Sequence, residues 1–468
     1  MTNLKNFLIV ATVALILSNC ATPGSSEAES AHLAPSLARL YSSEELGRDL
    51  KQFRRIVEQK AIGLYADRAA LSRALEEAER VVARSPLDEV AFYRLLAPAL
   101  AALRCGHSFL DPSPAAEARM RAEGRFFPLS VRSLDGQLYT IADLYGTGVP
   151  PGSELVSINE WPAAELFDHI AARLSTDGSD TGRPRYDAER WFAAMLYLFI
   201  GEFDSFDIEY LPPAVPSTDG TLLRNAARKS IAAVRDPALA KIPSAVIFDT
   251  VGSQPDHSFR DGYAYLRIPI FATANQKAFE AYLADFFTEL RVRNYDVLIL
   301  DLRGNYGGTP APTAALFRYL IDRPLPFFGP GHLLLLPWRV AQKPEPARFG
   351  GQLYVLMDEA GFSMNGFLLA LLKYHTIGTL VGSPSSGGYR CSDSSVNEQL
   401  RVTGLRVRYS TAAYEVAVRD MPSGIGVTPD LAVQPTLEDL VSGHDYALAA
   451  ALSTAGISAA QPGGDGRQ

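Results

Sequence analysis

Three short stretches of the chain set reactive side chains beside glycines. Ser363 lies in Gly361-Phe362-Ser363-Met364-Asn365-Gly366, directly after the apolar run Leu353 to Met357 and before a helical pattern. A serine at such a strand-to-helix junction is presented at the carboxyl end of a sheet. The next amide, that of Met364, can then turn toward a developing oxyanion. The same position also suits an ordinary N-cap serine, whose hydroxyl only closes the helix. The second stretch is Asp301-Leu302-Arg303-Gly304-Asn305-Tyr306-Gly307-Gly308, between the apolar run Val297 to Leu300 and a helix starting near Pro312. Its paired glycines either close a tight turn or aim the N–H groups of Gly307 and Gly308 at an anionic oxygen. The third is Cys105-Gly106-His107-Ser108. Here Gly106 stands where a helix C-terminal glycine belongs. His107 is then either a surface residue of the turn or the base that a serine hydroxyl needs near neutral pH.

These groups need elements to carry them. Residues 42–105 read as helices: Ser42 and Glu45 have capping-box spacing, and Leu46, Leu50, Phe53 and Val57 recur on one face. Leu71, Leu75, Ala78 and Val82 repeat that pattern, and Leu96, Leu100 and Leu103 carry a third helix. Residues 126–170 change to strand and turn, with Leu138 to Ile141 a strand and Gly148 to Asn159 a turn and strand, followed by a helix from Ala163. That segment resembles the middle of a PDZ-type module, or is a generic strand-turn-strand unit. Aromatic residues between Trp191 and Phe206 suggest a buried helix, and Pro212 to Gly220 a loop. From residue 262 strands and helices alternate. Tyr263–Ile268, Val297–Leu300, Leu353–Met357 and Thr379–Val381 are strands, and Asn275–Arg291 and Leu368–Leu372 are helical. The pattern predicts an α/β core with a mixed or parallel sheet. A last helix is expected over Asp445–Leu452.

Composition narrows the classes. The chain has 468 residues with a formal net charge of -8 and no basic cluster, which argues against a nucleic-acid partner. Its three cysteines and scattered histidines make no metal-site spacing, and neither a Walker loop nor a dinucleotide fingerprint is present. No metal or cofactor is therefore expected. The N-terminus differs from the rest: Lys5, the apolar run Phe7 to Leu17, and then Leu17-Ser18-Asn19-Cys20. This reads as a signal segment, too short to span a bilayer. It resembles a bacterial lipobox with Cys20 as the acylated residue, although Asn19 replaces the usual small residue. A plain secretory signal with a chance cysteine is the alternative. Ala21 to Ser36 reads as a tether.

Taken together, the DLRGNYGG turn, the GFSMNG turn, the loop Val381-Gly382-Ser383-Pro384-Ser385-Ser386-Gly387-Gly388 and the closing segment Pro422 to Leu431 resemble, in order and spacing, the tail-specific (C-terminal processing) peptidase superfamily. The resemblance covers roughly residues 260–455. It implies a mixed-sheet core of the ClpP/crotonase type, preceded by an N-terminal helical domain and a PDZ-like β segment. The expected divisions are 1–20 signal, 21–40 tether, 41–112 helical, 120–200 PDZ-like segment and helix, 201–460 peptidase core and 461–468 tail. The processing branch uses a lysine in the glycine loop as base. That loop has none here, and Lys373 stands ten residues beyond the serine on the same helix. The chain is therefore nearer the tricorn-core and interphotoreceptor retinoid-binding-like branch. The resemblance implies Ser363 as nucleophile, His107 as base, and Gly307, Gly308 and Met364 as the oxyanion hole. Glu398 and Asp420 are candidates for the acid that orients the histidine. The resemblance further implies a serine endopeptidase acting on peptide or protein substrates, while the N-terminal segment predicts export and tethering through Cys20 to the periplasmic side of the outer membrane. A non-catalytic module binding an apolar ligand or peptide is the alternative. If His107 reaches Ser363, Cys105 and Cys391 are carried to the rim of one site. There they either form a disulfide or remain two unrelated buried thiols.

Overall fold

The structure, a computed structural model, describes residues 39–216, 222–243, 253–330 and 335–458. The expected signal segment, lipobox, tether and C-terminal tail lie outside the described residues. From Leu40 onward the chain is one unit by its own contacts.

The first helix, α1 (Ser43–Arg55), begins with the expected capping box: Ser42 accepts from the Glu45 amide while Glu45 reaches back. It packs with α2 (Arg68–Val82) and α3 (Glu89–Ala101) through Leu46, Phe53, Leu75 and Leu96, all fully buried. The turn after α3 corrects one expectation. The left-handed residue is Arg104, at φ 48°, rather than Gly106. Gly106 is required by close approach instead. A Cβ there would stand 2.6 Å from the Phe362 ring and 2.7 Å from the Arg183 guanidinium.

A short strand, β1 (Phe109–Asp111), follows directly. Next come β2 (Ser130–Leu134), β3 (Gln137–Ala142), β4 (Glu154–Ile158), α4 (Ala163–Ala171), α5 (Gly182–Arg190), α6 (Phe192–Phe199), β5 (Ser205–Leu211) and β6 (Ala227–Ala232). Strands β2-β3-β4-β5-β6 form an antiparallel sheet in that order, with α4 packed on β3 and β4. Helix α6 is buried along almost its whole length, as its run of apolar residues demands.

The second half contains β7 (Asp256–Arg260), β8 (Tyr263–Arg267), α7 (Gln276–Val292), β9 (Val297–Asp301), α8 (Pro310–Leu320), β10 (Gln352–Met357), α9 (Met364–His375) and β11 (Thr379–Gly382). Four short strands follow: β12 (Arg390–Asp393), β13 (Val396–Gln399), β14 (Arg406–Tyr409) and β15 (Ala412–Glu415). The chain then adds β16 (Leu431–Ala432) and α10 (Tyr446–Thr454). The central sheet runs β7-β8-β9-β10-β11-β16. Its strands are parallel except for the antiparallel edge strand β7. Every residue of β9 is buried, as expected of a strand covered on both faces. Alternation divides it: Leu298 and Leu300 join the large cluster with α7, α8 and α9, while Val297 and Ile299 face Ala451 and Leu452 of α10. The class is thus mixed α/β.

Strand β1 pairs antiparallel with β14, Leu110 opposite Val407. This pairing joins chain segments roughly 300 residues apart and seats the His107 turn on the second half. Leu400, Leu405, Val407 and Tyr409 accordingly share a core with the N-terminal helices.

Candidate active site

Ser363 closes the loop between β10 and α9. It occupies the N-cap position, yet its side chain makes no capping hydrogen bond. Its backbone sits at φ 53° and ψ -124°, a conformation that L-residues avoid and that is found where surrounding contacts impose it. The hydroxyl turns away from the helix, and Oγ lies 3.0 Å from His107 Nε2. The capping reading therefore fails on geometry, and the expected serine and histidine meet across 256 residues of chain.

His107 is largely buried, its side chain 11% exposed, with its ring against that of Phe362 at 4.5 Å between centroids. Burial pushes its pKa down to about 4. The Asp393 carboxylate opposes this, and the positive charges of Arg408 and Arg183 add to it. The ring is therefore neutral at neutral pH, the state in which an imidazole nitrogen can accept a hydroxyl proton. Asp393 Oδ2 stands 3.6 Å from Nε2, while Nδ1 is buried without a hydrogen-bond partner among the described residues.

The two acids considered from sequence are not there. Glu398 is held by Lys60 at 2.6 Å and Gln52 at 3.1 Å. Asp420 makes no contact with His107 among the described residues. Asp393 is at the end of β12, and only the β12–β15 and β1–β14 pairings bring it to the histidine. Its one sequence signal is that it follows the glycine loop by five residues. Lys373 points elsewhere: it pairs with Asp430, which also accepts from the Leu380 amide.

The DLRGNYGG turn is fixed mainly by its own side chains. Arg303 bonds Asp301 at 2.9 and 2.6 Å and spans to Asp445 at 2.6 and 2.9 Å, tying the turn to the start of α10. Asp358 accepts the Gly304 amide through both oxygens. Asn365 donates to the carbonyls of Leu302 and Asn305. The amide of Gly307 donates to Asn305 Oδ1 at 2.8 Å. That group is occupied, whereas the amides of Gly308 and Met364 have no hydrogen-bond acceptor among the described residues. Gly307 contributes proximity instead. At φ 102°, a Cβ on it would lie 2.7 Å from Ser363 Cβ and 2.8 Å from the Met364 nitrogen.

Cys105 and Cys391 are both buried free thiols, so the expected bridge is absent. Cys105 Sγ is instead 3.2 Å from Ser410 Oγ. Burial raises both thiol pKa values, that of Cys105 to about 11, which keeps them protonated and unreactive. Among the described residues, no group of His, Cys, Asp and Glu side chains converges as a metal site. No described helix is long and apolar enough to cross a membrane.

A serine held in strained backbone between a central strand and a helix, on an α/β core, defines a serine hydrolase class of site. Residues 262–433 match peptidase family S41. The chain thus carries a domain of the family over that segment, which supports a serine peptidase acting on peptides or proteins. Among solved structures it is similar to mature CPAF complexed with lactacystin, at 16% identity and a TM-score of 0.60, covering 88% of this chain and 98% of that one. It is also similar to mature CPAF alone, at 16% identity and a TM-score of 0.59, covering 87% and 97%. A CPAF mutant aligns at 14% identity and a TM-score of 0.62, covering 87% and 96%. At these identities the likeness is one of fold. No curated protein matches the chain in sequence.

Proposed function

We propose that the chain is an exported serine endopeptidase in which Ser363 attacks the scissile carbonyl and His107 takes its proton. The observation that carries this reading is the 3.0 Å approach of Ser363 Oγ to His107 Nε2 in a part-buried setting. Attack forms the Oγ–C bond and moves the carbonyl electrons onto oxygen. The amides of Gly308 and Met364 are the donors left open to hold that oxyanion. Collapse expels the amine, which takes the proton back from His107, and water then hydrolyses the acyl-enzyme by the reverse relay. Asp393, 3.6 Å from the same nitrogen, stabilises the imidazolium that forms in both steps. A Ser–His assignment is supported further by the ion pair that holds Lys373 to Asp430.

The test is labelling with a fluorophosphonate probe and mapping of the modified peptide. Adduct on Ser363, lost in Ser363→Ala along with peptide hydrolysis, is the expected result. Labelling elsewhere, or a Ser363→Ala variant that retains turnover, refutes the assignment. Lactacystin, found in complex with mature CPAF, is a second probe to compete against the label.

For location, the reading remains export and lipid attachment through Cys20 at the outer membrane, supported by the Lys5-to-Cys20 sequence. Cys20→Ser is expected to move the mature protein from the membrane fraction to the soluble one. A wild-type protein already soluble in the periplasm would overturn the anchor.

A further inference from the structure

The turn carrying His107 is gripped by a segment to which the reaction so far assigns no part. Asp177 Oδ1 accepts the Gly106 amide at 2.8 Å. On the other side of that residue, Arg183 Nη1 donates to the Gly106 carbonyl at 3.3 Å. This carbonyl belongs to the peptide unit that leads directly into His107. Arg183 is 3% exposed, and its guanidinium does three further things. It lies 4.1 Å over the ring of Phe362, the residue before the serine. It lies 5.4 Å over the ring of Tyr306, the residue before the paired glycines. It bonds Asp187 at 3.3 Å, one turn along α5, and Asp187 in turn accepts the Tyr306 hydroxyl at 2.6 Å.

We infer that Arg183 is a positioning residue, the buried hub that sets the His107 turn, the Ser363 loop and the Gly307–Gly308 turn in register. Each of these three segments is contacted by Arg183 at the residue immediately before its functional group. The segments come from distant parts of the chain, so their relative placement depends on whatever bridges them. A planar guanidinium can do this where a lysine cannot, since it hydrogen-bonds in its plane and stacks on rings above and below. Burying the charge is costly unless it is paired, and Asp187 pairs it. Tyr306 and Gly106 complete the set. Removing one member therefore loosens all three loops, and small displacements of reacting groups lower the rate sharply. The inference rests on the Ser363–His107 reading above.

The experiment measures kcat and KM across pH for wild type, Arg183→Gln, Arg183→Lys and the double variant Arg183→Gln/Asp187→Asn, each normalised by fluorophosphonate active-site titration. The double variant keeps the buried pair neutral and guards against a single variant that fails to fold. The charged and polar groups facing His107 are Asp393 from β12, Arg408 from β14, Arg183 from α5, Asp177 at the Gly106 amide and the Ser392 carbonyl. Loss of the Arg183 charge favours the imidazolium, so the acidic limb of kcat/KM moves to higher pH in Arg183→Gln, and moves less in the double variant, which removes the paired Asp187 charge as well. Arg183→Lys keeps the charge and leaves the limb in place. In all three, kcat falls about 10- to 100-fold while KM changes less than about threefold. A merely structural role would lower the titratable fraction and leave kcat per active site and the pH limb unchanged. That result overturns the inference alone. Wild type without label on Ser363 overturns the underlying reading and the inference with it.

Discussion

Asp393→Asn tests the electrostatics of the site most directly. The carboxylate Oδ2 lies 3.6 Å from the His107 nitrogen proposed to receive the serine proton. Two unit charges about 4 Å apart interact by about 1 kcal/mol in water and about 4 kcal/mol at the effective dielectric of a protein surface. The Asp393 side chain is 35% exposed, so solvent draws the value to the lower part of that range. A stabilisation of about 1–2 kcal/mol for the imidazolium corresponds to roughly a 5- to 30-fold loss of kcat/KM in the variant. The pH profile carries a sign. Burial already holds His107 down to about 4, and Asp393 is the charged group that lifts it, with a smaller contribution from the Ser392 backbone. Removing the negative charge moves the acidic limb of kcat/KM to still lower pH, while the plateau rate falls. Wild type keeps its activity from neutral pH down toward about 4 and loses it as the base protonates. The assay is hydrolysis of a quenched fluorescent peptide between pH 3.5 and 8, with active sites titrated at each point. A limb that moves upward, or a plateau rate equal to wild type, refutes the role given to Asp393. An acidic limb near the ordinary histidine pKa in wild type would refute the picture of a strongly desolvated base.

His107→Ala is expected to lower kcat/KM by about a hundredfold or more. Lys373→Ala should change it less than about threefold and cost at most about 1 kcal/mol, since its partner Asp430 is an exposed pair. The reverse ranking in the same peptide assay would return the chemistry to a serine–lysine pair. Gly307→Ala places a methyl 2.6 Å from the Phe362 carbonyl oxygen at a φ of 102°. It should destabilise by about 1–3 kcal/mol in thermal melting and lower probe labelling of Ser363 more than tenfold. Unchanged labelling would show that the close approach of Gly307 to the serine does not matter.

Much of the machinery is legible in the amino-acid sequence. The strand–Ser363–helix order, the glycine pair after β9 and the His107 turn are local patterns. Each is written in a few consecutive residues whose backbone preferences are independent of the rest. Leu298 and its neighbours in β9 read as a buried strand because only a strand covered on both faces is apolar throughout. The absence of a lysine from the Gly382–Gly388 loop is likewise plain in the sequence, and in the structure Lys373 is paired with Asp430.

Other parts need tertiary structure. Glu398 and Asp393 are both acids within eight residues of Cys391, and nothing in their local sequence separates them. The pairing of β1 with β14 turns one toward His107 and leaves the other bound to Lys60. Gly106 has the sequence position of a helix cap, yet the residue that turns left-handed is Arg104. What forbids a side chain at Gly106 is Phe362, which arrives from the other half of the chain. Gly307 has the sequence context of an oxyanion donor, but Asn305 occupies its amide. Arg183 and Asp187 have an ion-pair spacing found on any exposed helix, and only burial between three remote loops makes that spacing consequential. Sequence alone determined which residues have the chemistry, because reactivity and turn propensity are local. Tertiary structure decided which of them act on one another, because distance, desolvation and the choice of hydrogen-bond partner arise only when segments hundreds of residues apart share one core.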